Sequence, residues 1–312
     1  MQTFLISMET PAGQTRRRKM MKRCHQAGLR RVEWVHGVDG RAIQPEILPE
    51  IATPLCATFC TPGMVGCAMS HVTCWREVVR RKLSHALILE DDAIFVPHFA
   101  RKLDEAMRSA PPDFHILLAG CFLCADYMQR MCHGGCLPIE GPQNMRNVGI
   151  FAGTHAYIVT QEGAQFLLRH IPPIKGHIDM QMSMLDGLRV YRPQQLLAVQ
   201  EDMATSSIAK FGFPGTLNGI LASMERPNYS PVYTANSAMC RLGPYAGPHI
   251  VLTPWHVVLA AAGGAGVPWQ IMAVVALVDV LLVPPTLPDL ASKMGAFAVG
   301  LASRAAIQGF VR

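Results

Sequence analysis

Charge is scarce in this chain. Of its 312 residues, 16% are Asp, Glu, Lys or Arg and 50% are hydrophobic, against about 25% charged in an ordinary soluble domain. The shortage sits mainly in the last third. Enough apolar runs precede residue 210 to build a core, which excludes a disordered chain over that stretch. The length of 312 residues accommodates one α/β domain of about 220 to 250 residues with an appendage left over.

Acidic residues are the scarcer sign, 22 against 28 Lys and Arg, for a net charge of +6. Much of the excess lies in Arg16-Arg17-Arg18-Lys19, Lys22-Arg23 and Arg30-Arg31. A basic balance suits anionic partners. No RNA-binding signature and no basic region with heptads accompanies the clusters, so nucleic acid is not an expected partner; a solvated helix face is the plainer reading. A secretory start is also missing, because Met1 to Glu9 has no basic opening and too short an apolar run. The expectation is a cytoplasmic, reducing setting with mostly free, buried thiols, which a cleaved precursor would overturn.

Phe4-Leu5-Ile6 reads as a buried strand and Gln14 to Ala27 as a basic helix closed by Gly28. Val32 to Val35 is a second strand, running into the turn His36-Gly37-Val38-Asp39-Gly40. Four prolines between 44 and 62 make that stretch loop or broken helix. Gly66 to Lys82 is helical, with Cys67, Ser70 and His71 on one face. Ala86-Leu87-Ile88-Leu89 is a buried strand, Pro97 to Ala110 a helix and Phe114 to Ala119 a strand. One or two strands lie around Gly153, followed by a helix from Gln161 to His170. Alternating strands and helices predict an α/β fold, a mixed, mostly parallel sheet flanked by helices. The expected division is a catalytic domain over 1–225 and an Ala/Gly/Pro-rich apolar extension over 226–312, for which composition supplies no role.

The strand at 86–89 ends abruptly in Glu90-Asp91-Asp92. Strand carboxyl ends host ligand sites in such sheets. Alternation turns Glu90 and Asp92 one way and Asp91 the other, and a carboxylate pair two apart suits a hard cation such as Mn²⁺ or Mg²⁺. A solvated acidic turn or a helix cap is the bland alternative. His71, Asp39 and Asp179 would each support nothing alone.

Five ordered segments resemble glycosyltransferase family 25, the lipooligosaccharide and procollagen galactosyltransferase group. They are Phe4-Leu5-Ile6 through Arg16-Arg17-Arg18; Val38-Asp39-Gly40; Gly66-Cys67-Ala68-Met69-Ser70-His71-Val72-Thr73-Cys74-Trp75; Leu87-Ile88-Leu89-Glu90-Asp91-Asp92-Ala93; and Gly153-Thr154-His155-Ala156-Tyr157-Ile158-Val159-Thr160 with Gly163-Ala164. The resemblance covers residues 1 to 210. It implies a GT-A-like fold, a UDP-sugar donor with UDP-galactose the usual case, a divalent cation, a glycan or protein hydroxyl as acceptor, and inversion. It also implies roles. Asp92 is the first metal ligand, and Glu90 a second ligand or a support for the loop. Asp91 faces the ribose or shares the metal, Asp39 sits by the nucleoside, and Ser70 and His71 line the donor site. Arg16 and Arg17 meet the diphosphate or lie on a solvated face, and Asp179 is the base. A nucleotide-sugar hydrolase and a catalytically degenerate binding or scaffold subunit are the competing readings.

Two features fall outside the resemblance. Cys121-x-x-Cys124 and Cys132-His133-Gly134-Gly135-Cys136 leave structural Zn²⁺, independent thiols and a disulfide open, although the segment between them is short for a zinc loop. Cys56, Cys60, Cys67 and Cys74 read as core. Residues 250–283 hold two apolar runs broken by Pro254 and Pro268. The second is short for a membrane span, and Asp279 within it would be costly. Peripheral membrane contact and a packed appendage both remain open.

Overall fold

The computed structural model describes residues 1–121, 124, 145–149, 151–201, 212–224, 230–282 and 285–310. They form two compact units, residues 1–57 with 62–202 and residues 58–61 with 203–312. The second unit begins ahead of the division expected at residue 225.

In the first unit, strands β1 (Gln2–Ser7), β2 (Val32–His36), β3 (His85–Glu90), β5 (Ile116–Gly120), β6 (Met145–Asn147), β7 (Ala156–Thr160) and β8 (Val190–Pro193) make one sheet in the order β2-β1-β3-β7-β5-β8-β6. β1 lies parallel to β2 and β3, and β5 parallel to β8. β7 runs antiparallel to both β3 and β5, and β6 antiparallel to β8. Five strands therefore point one way. The fold is of the expected α/β class, a mixed and mostly parallel sheet flanked by helices. A small ribbon of β4 (Ala93–Phe95) and β9 (Ala198–Gln200) stands beyond the end of β3.

Ala86 to Leu89 are fully buried, as expected of a strand covered on both faces. Leu87 and Leu89 pack with Leu5, with Met20 and Cys24 of α1 (Pro11–Gln26), and with Leu103 of α5 (Phe99–Ser109). The other face meets α4 (Pro62–Arg80), which also packs on α6 (Gln161–His170). The prolines between residues 44 and 62 leave two short helices, α2 (Leu48–Ile51) and α3 (Pro54–Phe59).

Local signals explain the ends. Thr10 caps α1 through Gly13 N at 3.1 Å with Pro11 in the first turn, and Gly28 follows at φ +81°. Thr160 caps α6 through Gly163 N at 3.0 Å. The start of α4 lies against the Val38–Gly40 turn so closely that a Cβ on Gly66 would strike Val38 O and Gly40 N. One on Gly40 would strike Pro62 O.

The second unit holds α8 (Gly215–Ala222), α9 (Pro231–Asn236), the antiparallel pair β10 (Cys240–Leu242) and β11 (Ile250–Leu252), α10 (Pro254–Ala265), α11 (Trp269–Leu282) and α12 (Leu287–Phe310). Its core contains Phe213, Leu259, Met272 and Phe297. Asp279 is fully buried, yet its carboxylate accepts Gly215 N and Thr216 N, capping α8 from another helix. That is how an acidic residue is tolerated in an apolar run. Among the described residues no helix is long and apolar enough to cross a membrane.

Candidate active site

β3 delivers the three carboxylates to its carboxyl end, and alternation sends the first two to opposite sides. Asp91 turns toward α1. It is buried, and its Oδ2 accepts Ser7 Oγ at 2.7 Å while its Oδ1 accepts Arg16 Nε at 2.9 Å. Glu90 turns toward α4. Its Oε1 accepts Thr154 Oγ1 at 2.8 Å and lies 3.4 Å from His71 Nε2. Asp92 is half-buried, and its Oδ2 accepts the Gln200 amide at 2.5 Å. Asp92 Oδ1 is buried and accepts no hydrogen bond.

The neighbouring carboxylates are driven apart in proton affinity. Burial pushes the Asp92 carboxyl up to about 8, and the charge of Glu90 acts in the same direction against the Gln200 bond. Burial also raises Glu90, but the hydrogen bonds from His71 and Thr154 act against it, leaving Glu90 below its ordinary value. The half-buried Cys67 thiol is pushed well above its usual range by burial and then by the charges of Glu90, Asp179 and Asp92.

Asp179 opens α7 (Ile178–Ser183), with Oδ2 accepting Gly153 N at 2.8 Å and Oδ1 accepting Met180 N at 2.7 Å. Gly153 has φ +90°, a conformation open to glycine. Since Thr154 binds Glu90, the Gly153-Thr154 pair ties Asp179 to the carboxylate end of β3.

The other expected residues are engaged by neighbouring groups of the chain. Arg16 is engaged with Asp91, and the Arg17 guanidinium stacks 3.4 Å over the Trp34 ring. Lys19 and Arg23 both bind Glu201, and Arg23 also donates to Ala93 O at 3.1 Å. The basic helix is therefore a harness for the 91–93 and 198–201 segments. Ser70 Oγ donates to Gly66 O at 2.7 Å and accepts Val38 N at 2.8 Å, which fixes the Val38–Gly40 turn rather than presenting a hydroxyl to a ligand. Asp39 is exposed and caps the turn through Arg41 N at 3.0 Å. Beside it, Val38, Ile43, Ile47, Ile51 and Met69 line a cavity of about 390 Å³.

Sequence reading missed Gln200, Ser7 and the pair Trp75 and Tyr157. Tyr157 Oη accepts Trp75 Nε1 at 2.9 Å and meets His71 Nδ1 at 3.0 Å. Trp75 and Tyr157 stand in the motif segments, which was the available signal; Gln200 carried none.

The cysteines depart from the expectation of mostly free thiols. Cys121 and Cys124 lie side by side with Cα atoms 6.1 Å apart, Cys56 and Cys60 each take part in a disulfide, and Cys24, Cys67, Cys74 and Cys240 are free. Cys132 and Cys136 lie outside the described residues, and the zinc alternative at Cys121, Cys124, Cys132 and Cys136 lies there with them. Among the described residues no group of three or more His, Cys, Asp or Glu could hold a metal by itself.

A family model described as glycosyltransferase family 25 (LPS biosynthesis protein) matches residues 1–182. The chain belongs to glycosyltransferase family 25. A glycosyltransferase 25 family member from Anopheles gambiae is 31% identical over 177 residues, 54% of this chain and 28% of that protein. Procollagen galactosyltransferase 2 of Homo sapiens is 28% identical over 183 residues, 53% of this chain and 27% of its own. A Mus musculus protein named inactive glycosyltransferase 25 family member 3 is 36% identical over 81 residues, 23% and 14% of the two chains. The chain spans about a quarter of the length of the curated relatives it matches first.

Proposed function

We propose that the first unit of this family 25 chain transfers a hexose, galactose foremost, from a UDP-sugar to a hydroxyl of a glycan or protein, with inversion. The observation that carries this is the pair of unengaged carboxylate oxygens at the end of β3. Asp92 Oδ1 is buried without a hydrogen-bond partner, and both donors to Glu90 reach Oε1, leaving Oε2 without one among the described residues. Two carboxylates completed by substrate phosphates are a fitting donor set for Mg²⁺ or Mn²⁺. Glu90 and Asp92 would hold that cation. When bound it supplies positive charge to the diphosphate as it leaves.

The remaining steps belong to the chain. The cavity beside Asp39 follows β2, and Glu90 ends β3, with β1 between them. Both therefore lie at the carboxyl-end side of these parallel strands, where ligands bind in such sheets, which supports the cavity as the nucleoside's place. Asp179 takes the proton of the acceptor hydroxyl as its oxygen bonds to the anomeric carbon and the sugar–diphosphate bond breaks. Gly153 N and Met180 N hold the carboxylate for that step.

The test is UDP release from a panel of UDP-sugars with Mn²⁺, with and without hydroxyl acceptors. One donor turned over, with acceptor-dependent release that EDTA abolishes, is the expected result. Equal release without acceptor would assign a hydrolase instead. Binding without release would assign a non-catalytic member, the condition in which the mouse relative is named.

A further inference from the structure

Trp75, Tyr157 and His71 form a buried chain of polar groups, with exposures of 0%, 0% and 1%. Trp75 lies one helical turn beyond His71 on α4, and Tyr157 is on β7. The polarity of this chain is set at one end. An indole N–H can only donate, so Tyr157 Oη accepts Trp75 Nε1 at 2.9 Å. The phenol has one hydrogen to give. Among the described residues its other partner is His71 Nδ1, at 3.0 Å. Were His71 Nδ1 to carry a hydrogen, the Tyr157 hydroxyl would accept twice and leave its own proton buried without an acceptor, at a cost of about 1–3 kcal/mol. Nδ1 is therefore the acceptor, and the ring hydrogen is left on Nε2. That nitrogen lies 3.4 Å from Glu90 Oε1.

We propose that Trp75 and Tyr157 are positioning residues that fix the Nε2–H tautomer of His71, so that the ring always presents a donor to Glu90. With Thr154 Oγ1 on the same oxygen at 2.8 Å, the device holds Oε1 and leaves Oε2 to meet a ligand. The tautomer assignment stands on the hydrogen bonds alone. Its consequence for cation affinity rests on the proposed function, because it takes Glu90 as a cation ligand. Fixing ring orientation and tautomer through an outer partner is a recurring way to tune a metal site.

The experiment uses the full chain with ¹⁵N-labelled histidine, the His71 signals being identified by their loss in His71→Gln. Long-range ¹H–¹⁵N correlations report the tautomer without any metal, and Mn²⁺ affinity is read by electron paramagnetic resonance of the free ion. The wild type is expected to show hydrogen on Nε2. Tyr157→Phe, which keeps the ring volume, is expected to yield a mixed tautomer and to weaken Mn²⁺ binding about tenfold. His71→Gln, whose amide keeps a donor toward Glu90, should bind Mn²⁺ more tightly than His71→Leu; a purely structural role would not separate these two in that order. Hydrogen on Nδ1 in the wild type, or Tyr157→Phe leaving the tautomer unchanged, overturns the proposal. If the wild type takes up no Mn²⁺, the cation reading of Glu90 and Asp92 falls, and the tautomer measurements still decide the role of Tyr157.

Discussion

Arg16 Nε donates to Asp91 Oδ1 at 2.9 Å, so the middle carboxylate of the triplet is bound by the basic helix. Ser7 completes the hold from β1. Arg16→Ala should lower stability by about 1–3 kcal/mol, because a buried carboxylate loses its charged partner while Ser7 still donates. UDP affinity should change less than threefold by calorimetry (about 0.65 kcal/mol, with a tenfold change worth about 1.4). A large loss of UDP affinity with unchanged stability would put Arg16 on the diphosphate instead.

The raised Asp92 carboxyl predicts a pH dependence of known sign. Its folded value, about 8, lies above the ordinary 3.8. The folded chain therefore keeps a proton that the unfolded chain loses as pH rises through about 4. The metal-free protein should lose stability between about pH 4 and 8. Asp92→Asn should flatten that slope and stabilise the metal-free chain at pH 8, as thermal unfolding across pH would show. Cation binding displaces the same proton, so apparent Mn²⁺ affinity should rise up to about pH 8 and then level.

Gly66→Ala reverses an ordinary expectation. Ala is better than Gly inside a helix by up to about 1 kcal/mol. Here the added Cβ meets Val38 O and Gly40 N, both backbone. The substitution should destabilise by about 1–3 kcal/mol, measured by urea unfolding. Equal or higher stability would mean that the Val38–Gly40 turn yields easily.

In the second unit, Asp279→Ala should cost about 1–3 kcal/mol, since it strands the Gly215 and Thr216 amides that its carboxylate accepts. Asp279→Asn keeps an acceptor and should cost less. The thermal transition of the full chain reports both.

What was legible in the sequence follows the range of the interactions. The helix at Gln161–His170 has its cap, its period and its end within ten residues, and it forms where those signals put it. The strand Ala86–Leu89 is apolar throughout and lies where a two-sided cover demands. Strands β4 and β9 are three residues each and exist through pairing across about a hundred positions, which no local pattern encodes. At the site, the placement of Glu90-Asp91-Asp92 at a strand end was readable. The partners were not, because Arg16–Asp91, His71–Tyr157 and Gln200–Asp92 join residues 75, 86 and 108 positions apart. The basic run of α1 illustrates the limit: its charges suggested phosphates, and tertiary packing gave them Asp91 and Glu201.

The central claim is that Glu90 and Asp92 hold a cation together with the diphosphate of the donor. The most direct measurement is UDP affinity by calorimetry with and without Mn²⁺, for wild type beside Asp92→Ala. The account predicts that Mn²⁺ tightens UDP binding at least tenfold in the wild type, about 1.4 kcal/mol, and not in Asp92→Ala. UDP binding that ignores Mn²⁺ in the wild type, or that responds equally in the variant, would contradict it.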